Sequence, residues 1–270
     1  MTSLINRLIL FVLLATLVAA CSTTPTGRAQ LTMKSDAALA QEASRQLAII
    51  RANAPLVQDR ATIDYVSCVA NSIVSVLEGE DAALYWEMAI VNQPEVNAFV
   101  MPGGKIVVKS GILSVAENQH QLAAVLGHEV AHVTAHHANE RMSRAELTSY
   151  GVDVVALILG GGYSNQTAGA YGAADTLSTL GVMNPFTRMQ ESEADVIGLK
   201  YMAMAGFDPR ESVKLWQNMN SSEKTAKVPE FLSTHPSGDT RIELIVENLP
   251  EMLALYNEAQ AQGRYPDCQR

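Results

Sequence analysis

The chain has little aromatic and little basic character. Only 6% of its 270 residues are aromatic, 17% are charged, and 28 acidic residues outnumber 19 basic ones. With a net charge of −9 and a pI near 5.1, the chain has no excess of basic residues that would suggest nucleic-acid binding. With 48% apolar residues, the chain is long enough to bury one core of ordinary size.

A hydrophobic run long enough to span a bilayer is also missing at the N-terminus. The apolar run Leu8–Ala20 has 13 residues, whereas a spanning helix needs about 20. With Arg7 before this run and V-A-A-C ending at Cys21, residues 1–20 resemble a lipoprotein signal peptide. Cleavage before Cys21 would leave its thiol and amine to carry the lipid. An ordinary signal peptide followed by a cysteine is the alternative.

The residue after Cys21 is Ser22 and not aspartate. By resemblance to known sorting signals, this implies anchoring in a bacterial outer membrane, on its periplasmic side. Anchoring in the inner membrane and a soluble periplasmic protein are the other locations considered.

Cysteine is scarce, with three residues in the chain. If Cys21 carries lipid, Cys68 and Cys268 remain, and the oxidising periplasm favours a disulfide between them. Such a bond would fix the C-terminal tail to an early helix. The alternative is a buried thiol at Cys68 and a free thiol at Cys268.

The spacing of apolar residues predicts an α+β protein that is mainly α-helical. We expect a tether over residues 21–34, rich in Ser, Thr, Pro and Gly, and then a single domain over residues 35–270. Periodicity and turn residues predict the following helices and strands: helices over 36–52 and 61–77, strands over 84–91, 96–101 and 105–109, and a turn at 102–104.

The most informative pattern is H-E-x-x-H, formed by His128, Glu129 and His132. Residues 119–141 contain no proline and follow a capping box that begins at Asn118, so this segment is predicted to be helical. Histidines four positions apart lie on one side of a helix and can bind one zinc ion. Glu129 is close enough to hold a zinc-bound water and accept its proton. A core helix that merely carries buried histidines is the alternative.

Other histidines near this motif are poor candidates for the third ligand. His120 and His136 each lie eight residues from the far member of the pair, which is about 12 Å along a helix. We therefore predict that His136 and His137 lie on the helix surface near its C-terminal end, where positive charge is favourable.

Glu191 and Asp195 are a better source of metal ligands. They too are four positions apart, on a second predicted helix. One carboxylate can bind zinc, while the other accepts the free N–H of a zinc-bound histidine. A set of two histidines and one glutamate is the thermolysin-type arrangement and implies one zinc ion per chain.

Four motifs together resemble one protein family. They are H-E-V-A-H, E-S-E-A-D from Glu191, H-P at 235–236 followed by R-I at 241–242, and N-A-F-V-M-P-G-G from Asn97. Over about residues 55–248 the chain resembles the HtpX/CAAX-prenyl-protease type of zinc metallopeptidase, a gluzincin family. The resemblance points to Glu191 rather than Glu193 as the ligand. It also implies a zincin-like fold with an active-site helix, a second metal-bearing helix and a small sheet edging the cleft.

The chain is similar to the compact LoiP-like lipoprotein branch of this family. The roughly 30 residues of the C-terminal tail cannot hold three or more 34-residue repeats, so we expect no TPR domain of the BepA-like type.

The resemblance also suggests roles outside the ligand set. It implies that the strand edge at Asn97, Ala98 and Phe99 pairs with an extended substrate. His235 would face the metal, either as a donor to the oxyanion or as a fourth zinc ligand in a resting state. Arg241 would orient the acidic side chains or the neighbouring loop.

Residues 143–183 separate the two metal-bearing helices. An apolar stretch over 152–159 is too short to cross a bilayer and precedes a glycine-rich segment. We expect a core helix and a mobile lid, with contact to a membrane or partner as the alternative.

The combined expectation is a membrane-anchored periplasmic zinc metalloendopeptidase. Glu129 would be the general base for a zinc-activated water, and the substrates would be unfolded or misassembled envelope proteins. The main alternative is an envelope chaperone or assembly factor with a mostly closed zinc site, whose assembly partners are unknown. A purely structural zinc domain is disfavoured by Glu129 beside the ligands.

Overall fold

A computed structural model describes residues 21–149, 186–223, 230–235 and 239–270. The predicted signal peptide lies outside the described residues. Of the segment 143–183, predicted to form a core helix and a lid, only residues 143–149 are described. The strands are β1 (Cys21–Thr23), β2 (Ala29–Leu31), β3 (Glu87–Val91), β4 (Ala98–Met101) and β5 (Lys105–Lys109). The helices are α1 (Asp36–Asn53), α2 (Arg60–Val74), α3 (Gly79–Ala82), α4 (Gln119–Thr134), α5 (His137–Ser149), α6 (Arg188–Met204), α7 (Glu211–Glu223), α8 (Glu230–Thr234) and α9 (Asp239–Ala261), with a 3₁₀ turn at Ser110–Ser114.

The mainly helical α+β architecture predicted from the sequence is confirmed. The caps explain why the residues at which these helices begin could be predicted closely. Ser35 accepts a hydrogen bond from the Ala38 N–H at the start of α1, and Asn118 accepts one from the His120 N–H at the start of α4. Such caps satisfy backbone donors that have no partner within the helix.

The three longer strands form one sheet in the order β3-β5-β4. β5 pairs in parallel with β3 and antiparallel with β4, so β4 is an edge strand. A tight turn joins β4 to β5 because Gly103 and Gly104 both adopt positive φ, at 73° and 77°. One face of the sheet packs on α4, while the other, which includes Phe99, packs on α1.

Helices α4 and α6 approach closely at a pair of glycines. A Cβ atom at Gly127 would lie 2.7 Å from the Gly198 carbonyl oxygen, and one at Gly198 would lie 2.6 Å from the His128 nitrogen. No larger side chain fits between these backbones without displacing one of them. The glycine pair therefore brings the H-E-x-x-H helix against the helix that carries Glu191.

The predicted helix over 119–141 is interrupted. His136 adopts a positive φ of 53°, so α4 ends at Thr134 and α5 begins at His137 in a new direction. The prediction that His137 lies on the surface is wrong, because its side chain is fully buried. His136 does stay partly exposed, with Nδ1 3.5 Å from the Asp36 carboxylate.

Residues 21–34, for which the sequence predicts a tether, contain two short strands. β1 and β2 form an antiparallel hairpin that pairs Cys21 with Leu31. Leu31 is 1% exposed, so the hairpin contributes to the core. The composition favoured a linker, but contacts far along the chain hold the segment in place.

A disulfide joins Cys68 in α2 to Cys268 in the C-terminal tail, with Cα atoms 5.6 Å apart. The Cys268 N–H also donates to Gln119 at the start of α4, at 2.8 Å. These contacts attach the tail to α2 and to the start of α4, the helix that carries H-E-x-x-H. Within the described part of the chain, no helix is both long and apolar enough to cross a membrane.

Candidate metal centre

Four buried side chains direct one ligand atom each into a common space. They are His128, His132, Glu191 and His235, and their ligand atoms all lie within 4.8 Å of one another. α4 supplies the first two, α6 supplies Glu191, and His235 directly follows the short helix α8. Each of these residues is at most 4% exposed, so the centre is closed to bulk solvent.

The spacing of these atoms fits a zinc ion. His128 Nε2 lies 3.0 Å from His132 Nε2, 3.2 Å from His235 Nδ1 and 3.4 Å from Glu191 Oε2. Ligands bound tetrahedrally at about 2 Å from zinc are separated by about 3.3 Å. Burial lowers the pKa of His132 well below its usual value, which keeps that imidazole neutral, as a metal ligand must be.

Glu129 lies beside the ligand atoms, on the side of His235. Its Oε1 is 3.3 Å from His235 Nε2, and the residue is 2% exposed. Burial raises the pKa of Glu129 to about 7, against the influence of His235 and the Val100 N–H. A carboxyl with a pKa near neutral can take up and release a proton at physiological pH.

The outer nitrogen of His128 is held by an acidic residue, in the arrangement that the sequence predicts. His128 Nδ1 donates to Asp195 Oδ1 at 2.9 Å. Arg241 donates to the same oxygen at 2.7 Å and lies 3.1 Å from Glu191 Oε2. The Arg241 guanidinium also stacks 3.6 Å from the ring centroid of Trp216. Arg241 therefore contacts the carboxylates of both Glu191 and Asp195, the acidic side chains that it was predicted to orient.

The outer nitrogen of His132 has partners that the sequence analysis missed. His132 Nδ1 lies 2.9 Å from His137 Nδ1, and His137 Nε2 lies 3.1 Å from Glu193 Oε2. Glu193, which was considered as an alternative ligand, thus faces away from the ligand atoms. Two features of the sequence could have indicated these partners. They are the histidine five positions after His132 and the second glutamate of E-S-E-A-D.

Two phenylalanines stack on the ligand histidines and were also missed. Phe186 stacks on His132 with ring centroids 3.9 Å apart, and Phe231 stacks on His235 at 4.5 Å. The Phe186 N–H also donates to the Thr234 carbonyl at 3.2 Å. These rings exclude water and restrict the orientation of the imidazoles.

The strand edge at Asn97, Ala98 and Phe99 lies close to this centre. The Lys109 N–H donates to the Asn97 carbonyl, so the backbone groups of Ala98 and Val100 face away from β5. The side chains of the three predicted residues are at most 9% exposed, so their backbone is the part that can reach a substrate. The Asn97 Oδ1 is buried without a hydrogen-bond partner among the described residues.

A cavity of about 290 Å³ adjoins the centre. Its wall includes His132 and Phe186 on one side, Val100 of the edge strand, and Leu84. The cavity is large enough for a side chain of a bound peptide and connects the strand edge with the ligand cluster.

Comparison with known proteins identifies related sequences. The sequence profile of Peptidase family M48 matches residues 61–248. The mitochondrial metalloendopeptidase OMA1 of Schizosaccharomyces pombe is 37% identical over 233 residues, which cover 85% of this chain and 64% of that protein. The beta-barrel assembly-enhancing protease of Yersinia pestis is 32% identical over 200 residues, covering 72% of this chain and 40% of that protein. The chain thus spans less than two thirds of the length of these relatives.

Proposed function

Because this chain belongs to peptidase family M48, we propose that it is a zinc metalloendopeptidase with the ligands His128, His132 and Glu191. The observation that carries the proposal is the buried set of four ligand atoms within 4.8 Å of one another, with Glu129 at its side. Both relatives described above are named as proteases, one of them as a metalloendopeptidase.

The protein's residues divide the chemical work between them. When bound, zinc supplies Lewis acidity that activates a water molecule and polarises the peptide carbonyl. Glu129 accepts the proton of the attacking water and delivers it to the leaving amine. Asp195 and Arg241 keep the imidazole of His128 and the carboxylate of Glu191 in place.

We propose that His235 acts as a fourth ligand in a resting state of the centre. Its Nδ1 lies among the ligand atoms, 3.0 Å from Glu191 Oε1, while its Nε2 faces Glu129. If substrate binding displaced His235 from the ligand set, its imidazole would be free to donate a hydrogen bond to the developing oxyanion. This closed arrangement is also what the alternative role, a chaperone or assembly factor with little proteolysis, would require.

Extended polypeptide is the substrate class that fits the edge of the sheet. The outward backbone groups of Ala98 and the outward carbonyl of Val100 can pair with a peptide strand laid beside β4, next to the cavity, whereas the Val100 N–H faces Glu129. Folded proteins rarely offer a free extended segment, so unfolded or misassembled envelope proteins are the proposed substrates.

The proposed location is the periplasmic side of a bacterial outer membrane, through lipid on Cys21. The V-A-A-C sequence and the following Ser22 support this location. The disulfide between Cys68 and Cys268 is in keeping with an oxidising compartment. Membership of the compact LoiP-like lipoprotein branch is proposed on the same grounds.

The test is zinc content together with cleavage of casein by the purified protein. We expect about one zinc per chain and cleavage by the native protein. Glu129→Gln should keep zinc and lose cleavage, and Glu191→Ala should lose zinc. Glu117→Gln, an exposed glutamate outside the centre, is the matched control and should change neither. A native protein that holds zinc but never cleaves would favour the chaperone role.

A further inference from the structure

The N-terminal hairpin reaches the residues behind His132. Arg28, in the loop between β1 and β2, donates through Nε to Glu193 Oε2 at 2.7 Å. Its two terminal nitrogens donate to the two carboxylate oxygens of Glu140 at 2.7 and 2.8 Å. The hydroxyls of Thr24 and Thr26 both donate to Glu193 Oε1. Three hairpin residues therefore fix one carboxylate.

The carboxylate that the hairpin holds is in turn connected to a metal ligand. Glu193 Oε2 lies 3.1 Å from His137 Nε2, and His137 Nδ1 lies 2.9 Å from His132 Nδ1. With His132 Nε2 among the ligand atoms, its Nδ1 carries the proton and donates to His137 Nδ1. His137 must then carry its own proton on Nε2 and donate it to Glu193. The chain of hydrogen bonds has one direction and every member is satisfied.

This arrangement parallels the support of the other ligand histidine. His128 is held by Asp195, a carboxylate that Arg241 fixes in turn. For His132 the carboxylate is Glu193 and the arginine is Arg28, with His137 inserted between. The difference is that Arg28 lies 165 positions from Glu193, in a segment outside the matched family region.

We propose that the hairpin Cys21–Leu31 is a functional part of the metal centre, in which Arg28, Glu193 and His137 are positioning residues for His132. Docking of the hairpin fixes the ring orientation and tautomer of this ligand, so it determines how tightly zinc is held. The inference rests on the proposed role of His132 as a ligand.

The surrounding contacts distinguish this role from general packing. Arg28 bridges two carboxylates, Glu140 and Glu193, whose side chains are 0% and 5% exposed. Gln190 donates to the same Glu140 at 2.8 Å. A planar guanidinium can bind both carboxylates at once, whereas a lysine ammonium is a single point charge. Besides the buried Leu31, the hairpin is therefore attached through a polar network whose far end is His132.

The experiment compares zinc affinity in the native protein with that of Arg28→Gln, Arg28→Lys, Glu193→Gln and His137→Asn. Zinc dissociation constants come from competition with a chelator, and the visible spectrum of the Co²⁺-loaded protein reports ligand geometry without reference to activity. We expect Glu193→Gln and His137→Asn to bind zinc about 10- to 100-fold more weakly. Arg28→Gln should weaken binding about 10-fold, with Arg28→Lys between it and the native protein.

Arg60→Gln is the matched control, because Arg60 forms an exposed ion pair with Asp64 on α2. It should leave both zinc affinity and the Co²⁺ spectrum unchanged. Circular dichroism checks that each variant is folded. If Glu193→Gln fails to fold, Arg28→Lys still tests the proposal because it retains the positive charge.

A double variant gives a second test. If Arg28 acts through His137, adding Arg28→Gln to His137→Asn should cause little further loss of zinc affinity, since the connection is already broken. Fully additive losses, or folded single variants that bind zinc within twofold of the native protein, would overturn the inference. Failure of the native protein itself to bind zinc would instead overturn the proposed function.

Discussion

Replacing Asp195 should weaken zinc binding without touching a metal ligand. Asp195 Oδ1 accepts from His128 Nδ1 at 2.9 Å, and Asp195 is 6% exposed. Loss of such a carboxylate typically lowers metal affinity about 10- to 100-fold, which corresponds to about 1.4 to 2.7 kcal/mol. Asp195→Ala should reach the upper part of this range, because it also leaves Arg241 without its 2.7 Å acceptor.

The conservative variant separates orientation from charge. Asp195→Asn keeps an oxygen that can accept from His128, so its zinc affinity should fall by about 10-fold or less. Removing one partner of a buried ion pair also destabilises, by about 3 to 5 kcal/mol for the alanine variant. Affinity is therefore measured by chelator competition well below the unfolding temperature. Asp64→Asn, an exposed member of an ion pair, is the control.

The reasoning fails if folded Asp195→Ala binds zinc as tightly as the native protein. In that case the position of His128 on α4 would suffice to hold its ring, and the hydrogen bond from Nδ1 would contribute nothing measurable.

Three further predictions concern stability. Reducing the disulfide between Cys68 and Cys268, which are 200 positions apart, should lower the free energy of unfolding by up to about 5 kcal/mol in denaturant titrations. The pKa of Glu211 is lowered to about 2, because hydrogen bonds from Lys214, Asn118 and Gln121 outweigh the effect of burial. The stabilisation of the folded state by the Glu211 carboxylate is fully present above its unfolded pKa near 4.5 and is lost as the pH falls toward 2. Glu211→Gln should therefore remove about 1 kcal/mol from the pH dependence of the free energy of unfolding, after screening by solvent is taken into account. Gly198→Ala should lower stability by about 2 kcal/mol or more and weaken zinc binding, since its Cβ would lie 2.6 Å from the His128 nitrogen. A Gly198→Ala variant with the same unfolding temperature as the native protein would contradict this prediction, because α4 and α6 could then move apart without loss of stability.

The helices and the ligand candidates follow from local patterns. The H-E-x-x-H spacing depends only on helix geometry, and the cap at Asn118 marks where that helix begins. The i, i+4 pair of Glu191 and Asp195 depends on the same geometry, and the structure brings both to the histidines of α4.

The support behind His132 could not be predicted in this way. The positive φ of His136 occurs without a glycine or proline, so no local signal announced the break that turns His137 inward. The position of the N-terminal hairpin depends on Arg28 meeting carboxylates 112 and 165 positions away. Its composition alone was that of a linker, because the partners that order it lie in other elements.

The most direct test of the account is the position of zinc in a crystal of the zinc-loaded protein, from anomalous diffraction at the zinc absorption edge. We expect a single strong peak about 2 Å from His128 Nε2, His132 Nε2 and a Glu191 carboxylate oxygen. A peak beside Glu193 and His137 instead, or the absence of any peak within reach of the H-E-x-x-H histidines, would contradict the assignment of the centre.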